Sequence, residues 1–306
     1  MLLPVGDNVD RRSLPVVPAV LVFANLLVFV IQVRIFLDNP MTIQPTMDFI
    51  EKWGLVPADL QQGRYVGLFT HMFLHGGISH ILGNMLVLWA FAWTLEIGLG
   101  GATLLVFYLI WGVIAGGAHA LTEWGGDMPL VGASGAIAGL MGAYFVLYGA
   151  DAKIKTVFFL GFKAFVINIP AALYCIAWFW LQVWSASNDT AGTGGVAWYA
   201  HIGGFAAGAL TALLVGSNLQ TCLVRDGTGE LVFKSTLEQD EGEVVIVEGD
   251  KYKIAEHDTA GDGSTLPEDC PHCGTALPEE ARITPGVARC LNEICGRFVY
   301  PGASFR

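Results

Sequence analysis

Charge is scarce in this sequence. Only 14% of its 306 residues are Asp, Glu, Lys or Arg, against 54% hydrophobic residues, and the mean hydropathy is +0.55. Soluble globular domains carry about a quarter charged residues, so ordinary water-soluble usage is excluded and an integral membrane protein is the working class. Positive charge is scarcer still. Sixteen Lys and Arg face 27 Asp and Glu, for a formal net charge of −11, and nothing invites nucleic acid or anionic lipid. Cysteine is limited to six residues, four of them gathered near the C-terminus, which does not suit a secreted disulfide framework. No cleavable signal is evident. Arg11-Arg12 precede an apolar stretch from Leu14 to about Leu37 with no clear small-x-small cleavage site, so this stretch reads as a retained anchor.

What is present is a series of apolar runs of spanning length, near 16–37, 79–97, 101–121, 132–149, 157–184 and 196–216. The fourth is short, and the fifth is over-long and interrupted by Lys163 and Pro170. Arg11 and Arg12 before the first run, and Lys153 and Lys155 after the fourth, both argue for a cytoplasmic side. The two assignments agree, because an even number of crossings restores the starting side. Both termini are then expected in the cytoplasm, and the membrane is expected to be a prokaryotic cell membrane.

Few polar residues interrupt these runs. His80 and Asn84 open the second, Ser134 opens the fourth and His201 opens the sixth. With alternating direction, all four fall at similar depth below the outer face. Ionisable or nucleophilic groups in a bilayer are costly, and their presence is by default a functional hypothesis. A serine hydroxyl needs a base, which His201 supplies in kind. Ser134 at a helix start has free N–H groups and a favourable dipole for developing negative charge. His80 and Asn84, four apart, share a helical face and can donate to an oxyanion. Gly135-x-x-x-Gly139 and Gly204-x-x-x-Gly208 offer small faces for close helix contact, which would make Ser134 and His201 neighbours. A lone Ser in a membrane helix most often packs or bonds to backbone, and a lone His is functional somewhat more often, with helix–helix hydrogen bonding as its alternative; four at one depth argue against structure alone. The stretch from Gly132 to Ala136 half-matches the G-x-S-x-G elbow of soluble hydrolases, but Ala136 breaks it and no strand precedes it.

Three segments together carry a family resemblance: residues 71–84 with His71, His75, His80 and Asn84, then Gly132-Ala133-Ser134-Gly135, then Ala200-His201-Ile202-Gly203-Gly204. In that order the chain resembles the rhomboid family of intramembrane serine proteases across most of 14–216. The resemblance implies a Ser134–His201 dyad without an acidic third member, with His80 and Asn84 completing an oxyanion hole. It implies single-pass transmembrane substrates cut near the outer face, and no metal or nucleotide in catalysis. Trp53-Gly54-Leu55-Val56-Pro57 falls in the long first loop, which in the family dips into the outer leaflet; an ordinary interfacial Trp and turn Pro fit equally well. His71 and His75 are expected to be structural or water-organising, Glu96 to bond at a helix end, and His119 to be without a special role. Two departures stand out. Val66-Gly67 replaces a Trp-Arg pair found in many members, and Ala138 stands where some carry an aromatic that stacks on the histidine. What holds the His201 ring is thereby left open. The aromatics of the fifth run (Phe158, Phe159, Phe162, Phe165, Trp178, Phe179, Trp180 and Trp184) fit either a lipid-facing belt or, by resemblance, the flank of a lateral substrate entry.

The C-terminal third is different in kind. Residues 217–306 carry 16 acidic and 8 basic groups, and Glu243–Glu248 reads as a strand. Cys270-Pro271-His272-Cys273, followed by Cys290 and Cys295, pairs a C-x2-C knuckle with a wider C-x4-C couple and suits tetrahedral zinc, with His272 as a substitute ligand. Free thiols or disulfides are the alternatives, and disulfides are disfavoured in the cytoplasm. The expected organisation is a cytoplasmic N-terminus (1–13), a six-transmembrane-helix rhomboid-like bundle (14–216), an acidic linker with a small β segment (217–265) and a zinc ribbon (266–306). The fold class is thus all-α integral membrane with a small cytoplasmic zinc-ribbon-like module that an unknown cytoplasmic protein could bind. The expected function is a serine endopeptidase acting on transmembrane substrates. A non-catalytic rhomboid-like protein that binds transmembrane clients is the runner-up. A transporter is disfavoured, since the runs show no internal repeat pairing and the polar groups lie near one face.

Overall fold

Most of the long apolar runs form helices, and the one proline inside those helices, Pro18, lies in the first turn, where its missing N–H costs nothing. The computed structural model describes residues 2–9, 14–160, 163–188 and 197–215, with short strands between 223 and 299. Strand β1 (Leu2–Asp7) leads into helix α1 (Val16–Asp38). The following loop holds α2 (Gln44–Trp53), α3 (Pro57–Gln61), α4 (Gly67–Thr70) and a 3-10 turn (His71–Phe73). Helices α5 (Ile78–Leu99) and α6 (Gly101–Thr122) are joined at Gly100, whose φ of +80° favours glycine. Helix α7 (Ser134–Tyr148) precedes a hairpin of β2 (Lys153–Leu160) and β3 (Lys163–Pro170), then α8 (Ala171–Asn188) and α9 (Trp198–Val215).

Five of the six expected runs match their helices to within two residues at each end, including the second (79–97 against Ile78–Leu99) and the sixth (196–216 against Trp198–Val215). The fifth run needs correction. Residues 157–160 and 163–170 are not helical: they form most of strands β2 and β3, and the helix begins only at Ala171. Ile154, Thr156, Val157, Val166, Ile167 and Ile169 are β-branched and favour a pleated strand. Pro170, which cannot sit inside a helix, ends β3 beside the helix start. The all-α expectation is corrected on the same ground, because β1, β2 and β3 form an antiparallel sheet in that order. Phe158, Phe159 and Phe165 therefore lie on strands, while Trp178, Phe179, Trp180 and Trp184 lie on α8; Phe162 is outside the described residues.

Helix α7 is the centre of the bundle: from Gly135 through Tyr144 every residue is buried. The surrounding helices show apolar side chains outward, among them Phe23, Leu27 and Val30 of α1, Val106 and Ile110 of α6, and Leu173, Ile176 and Trp180 of α8. So much outward-facing hydrocarbon belongs in lipid rather than water. By length and composition α1, α5 and α6 can cross a membrane, and α7 and α9 are shorter apolar helices.

Two ends of the bundle are held differently. At one end the sheet docks through Asp7, a buried carboxylate that accepts from Thr94 Oγ1 (2.5 Å) and Tyr144 OH (2.8 Å). Nearby, the Val17 amide donates to Glu96 (3.1 Å), fulfilling the helix-end role expected of that carboxylate. At the other end Gln32 of α1 clamps the backbone of His75, donating to its carbonyl (3.0 Å) and accepting from its amide (3.1 Å). The glycine faces meet as well. A Cβ on Gly204 would lie 2.0 Å from the Gly135 carbonyl oxygen, and one on Gly208 would lie 1.9 Å from that of Gly139. Gly135 and Gly139 themselves open toward α6, where a Cβ would strike Ala115 and Trp111 at 2.6 Å.

The chain divides into two units, Met1–Ala255 and Glu256–Arg306. The first also holds β4 (Leu223–Arg225) paired with β5 (Leu231–Phe233), and β6 (Glu243–Glu248), the strand read from sequence, paired with β7 (Lys251–Glu256), whose last residue opens the second unit. The second holds the antiparallel strands β8 (Arg282–Thr284), β9 (Val287–Arg289) and β10 (Phe298–Val299), with β9 central.

Candidate active site

Ser134 and His201 are brought together by helix packing. Ser134 is the first residue of α7 and His201 lies in the first turn of α9, and the α7–α9 glycine contact brings those starts side by side. His201 Nε2 is 2.8 Å from Ser134 Oγ, within ordinary hydrogen-bond range. Ser134 is half-buried and His201 is buried.

The loop before Ser134 is fixed by its neighbours rather than by its own sequence. Leu55 and Leu130 exchange both backbone hydrogen bonds (3.0 and 2.8 Å), and the Gly132 amide donates to the His71 carbonyl (2.9 Å). Thr70 Oγ1 donates to the Trp53 carbonyl (2.5 Å). The segment Trp53–Pro57 thus belongs to the scaffold of the serine loop; Leu55 is fully buried, which distinguishes it from a plain interfacial turn. Only the pairing across the fold reveals this role.

His80 and Asn84 flank the same loop. A Cβ on Gly132 would lie 2.8 Å from His80 Nε2 and 3.6 Å from Asn84 Nδ2, and Gly132 has a φ of +125°. Glycine there satisfies both the backbone and the space. The Gly76 amide donates, at a long 3.4 Å, to His80 Nδ1. That contact assigns the ring proton to Nε2, the nitrogen beside Gly132. Asn84 Nδ2 is buried and has no hydrogen-bond partner among the described residues.

His71 and His75 sit behind this cluster, in the loop ahead of α5. The His71 ring reaches the Gly112 carbonyl (3.3 Å), and the His75 ring meets His80 edge-on at 5.1 Å. Burial pushes the His71 imidazole down to about 4 and His75, with His80 beside it, down to about 3. Both are neutral near pH 7, as befits packing groups.

One polar residue was not singled out from sequence. Gln182 of α8 is buried, and its Oε1 is 2.8 Å from His201 Nδ1. Its amide nitrogen donates to the Trp178 carbonyl on the same helix (3.1 Å). The Trp178 ring lies 5.7 Å from the His201 ring, tilted by 39°, and Trp198 meets it edge-on at 6.3 Å. A lone Gln among tryptophans in an apolar helix carries the same signal as the other intramembrane polar residues. It was hidden because the fifth run was read as one aromatic-rich span.

Among the described residues, no group of three or more His, Cys, Asp or Glu is placed to hold a metal. Cys270, Cys273, Cys290 and Cys295, with His272, lie outside the described residues.

Parts of this chain match known proteins. The Rhomboid domain family model matches residues 62–218, from within the first loop to just past α9, and so includes His80, Asn84, Ser134 and His201. RHOMBOID-like protein 5 of Arabidopsis thaliana is 33% identical over 104 residues, covering 34% of this chain and 34% of the relative. Rhomboid protein 1, mitochondrial, of Saccharomyces cerevisiae is 28% identical over 169 residues, 53% of this chain and 45% of the relative. Rhomboid protease GluP of Bacillus subtilis is 31% identical over 157 residues, 51% of this chain and 27% of the relative. The chain spans less than half the length of each of these relatives. With the apolar helices, the domain match marks an integral membrane protein. Since that match takes in half of the sequence, this chain belongs to the rhomboid family.

Proposed function

We propose that this protein is an intramembrane serine endopeptidase with Ser134 as nucleophile and His201 as general base, and the 2.8 Å contact between Nε2 and Oγ carries the reading. As Ser134 Oγ bonds to a substrate carbonyl carbon, its proton passes to His201 Nε2. The carbonyl oxygen takes up the negative charge, and the Ser134 amide, Asn84 Nδ2 and His80 Nε2 donate to it. Collapse breaks the C–N bond, His201 gives its proton to the leaving amine, and an acyl-Ser134 ester remains. Water then attacks that ester, with His201 again as base, and the acid product leaves. No metal or nucleotide takes part in these steps.

In this reading α1, α5, α6, α7, α8 and α9 all cross the bilayer, with both termini on the cytoplasmic side of a prokaryotic cell membrane. Lys153 and Lys155 lie at the sheet end, and the dyad at the opposite end faces outward. Substrates are single-pass transmembrane proteins cut near the outer face. The tail folds around structural zinc held by Cys270, Cys273, Cys290 and Cys295, whose two thiolate pairs match the donor set of a tetrahedral site. Metal analysis of reduced, purified protein should return about one zinc per chain; its absence removes that part.

The deciding experiment pairs a fluorophosphonate probe with cleavage of a model transmembrane substrate in detergent. Wild type should be labelled and should cleave, while Ser134→Ala and His201→Ala should do neither though both insert and fold. Unchanged cleavage in either variant refutes the dyad. Folded wild type that takes no label favours client binding without catalysis.

A further inference from the structure

We infer that Gln182 is the positioning residue of this site, setting which nitrogen of His201 carries the proton; the inference rests on the Ser134–His201 reading. Its amide can be oriented from the hydrogen bonds alone. Only the NH2 end can donate to the Trp178 carbonyl (3.1 Å), four residues back on the same helix. With the nitrogen so committed, the oxygen is the atom that faces His201 Nδ1 at 2.8 Å. An amide oxygen only accepts. Nδ1 therefore holds the ring proton, and Nε2 presents a lone pair to the Ser134 hydroxyl at 2.8 Å. This is the tautomer that a general base for Ser134 must have.

The geometry also accounts for how the ring is held. Ala138, one turn along α7 from Ser134, is too small to stack on the imidazole. Helix α8 supplies the support instead, with Gln182 on the ring edge and Trp178 tilted against the ring, one turn apart. A neutral acceptor in place of a carboxylate orients the imidazole without placing a formal charge in lipid, where ionised groups are costly. Gln182 touches no reacting atom; it acts through His201.

The test is the pH dependence of kcat on a model transmembrane substrate, for Gln182→Met and Gln182→Glu beside wild type. Met keeps the length and burial of the side chain but cannot accept, so kcat should fall about tenfold with KM little changed. The imidazolium also loses an acceptor, so the acid limb of the profile should move to lower pH. Glu restores an acceptor and adds a charge, so activity should recover in part and the acid limb should move to higher pH. Opposite movements of that limb are not produced by loosened packing. Should the Met variant fail to fold, the Glu variant alone decides by its limb. An unmoved acid limb in the folded variants overturns the inference, whether or not kcat falls. The dyad is judged separately: if Ser134→Ala or His201→Ala still cleaves, that reading fails, and if both are dead while the Gln182 variants keep the wild-type profile, only this inference fails.

Discussion

Asn84 separates packing from chemistry better than any other residue of the site. Its Nδ2 is buried without a partner, beside Gly132 in the loop that delivers Ser134. An orphaned buried donor costs about 1–3 kcal/mol, and Asn84 carries that cost beside the loop where an oxyanion would need a donor. Asn84→Ala should therefore lower kcat by about a hundredfold, less than loss of Ser134 or His201, without lowering the thermal unfolding temperature. Unchanged turnover would remove Asn84 from the oxyanion site. His71 and His75 make the opposite case. Both imidazoles are held down by burial, to about 4 and about 3, whereas an unfolded chain protonates them near 6.5. The unfolded state thus binds more protons below pH 6.5, and stability falls as pH drops from there toward 4. The slope is up to about 1.4 kcal/mol per pH unit for each histidine. Denaturation in detergent at pH 7 and pH 5 should show this loss for wild type, and a smaller one for a folded His75 variant such as His75→Gln.

Between elements, the α7–α9 contact positions Ser134 beside His201, and glycine permits it. A side chain on Gly208 cannot coexist with the Gly139 carbonyl, since its Cβ would lie 1.9 Å away. Gly208→Val should push α9 off α7 and abolish fluorophosphonate labelling of Ser134, although every polar residue of the site is retained. Normal labelling would mean the helices reach the same geometry by another route. The sheet is held by a different device. Asp7 draws β1 under the bundle by accepting from Thr94 on α5 and Tyr144 on α7. Asp7→Ala leaves both hydroxyls without that acceptor and should cost about 2 kcal/mol or more of stability. Because Asp7 lies at the end of the bundle away from Ser134, kcat of the folded fraction should not change. The hairpin shows why periodicity misled at this point. Residues 157–170 are apolar enough to pass for part of a span, and hydropathy alone does not distinguish a β-branched strand from a helix. Lys163 and Pro170 marked the break, yet where the helix begins depends on β2 pairing with β1, a partner some 150 residues away in sequence.

At the scale of the molecule, the site and the tail belong to separate units. Ser134, His201, His80, Asn84 and Gln182 all lie in Met1–Ala255, whereas the four C-terminal cysteines lie in Glu256–Arg306. Removal of residues 256–306 should leave labelling of Ser134 at the wild-type level, and so should zinc chelation of the full chain. Loss of labelling in either experiment would tie the tail to the catalytic unit.

The sequence by itself determined the membrane character, the limits of five apolar helices, and the intramembrane polar residues that the fold brings together. Those properties follow from hydropathy and from the cost of polar groups in lipid, both of which are local. It also pointed to the glycine faces, since small residues at i and i+4 announce a close approach. Tertiary structure alone decided which partner holds the His201 ring, how Leu55 and His71 fix the loop of Ser134, and that a buried carboxylate ties a sheet to the helix bundle. Each of these joins residues distant in the chain through directional hydrogen bonds. Such a bond depends on where two backbones come to rest, and no local pattern encodes that.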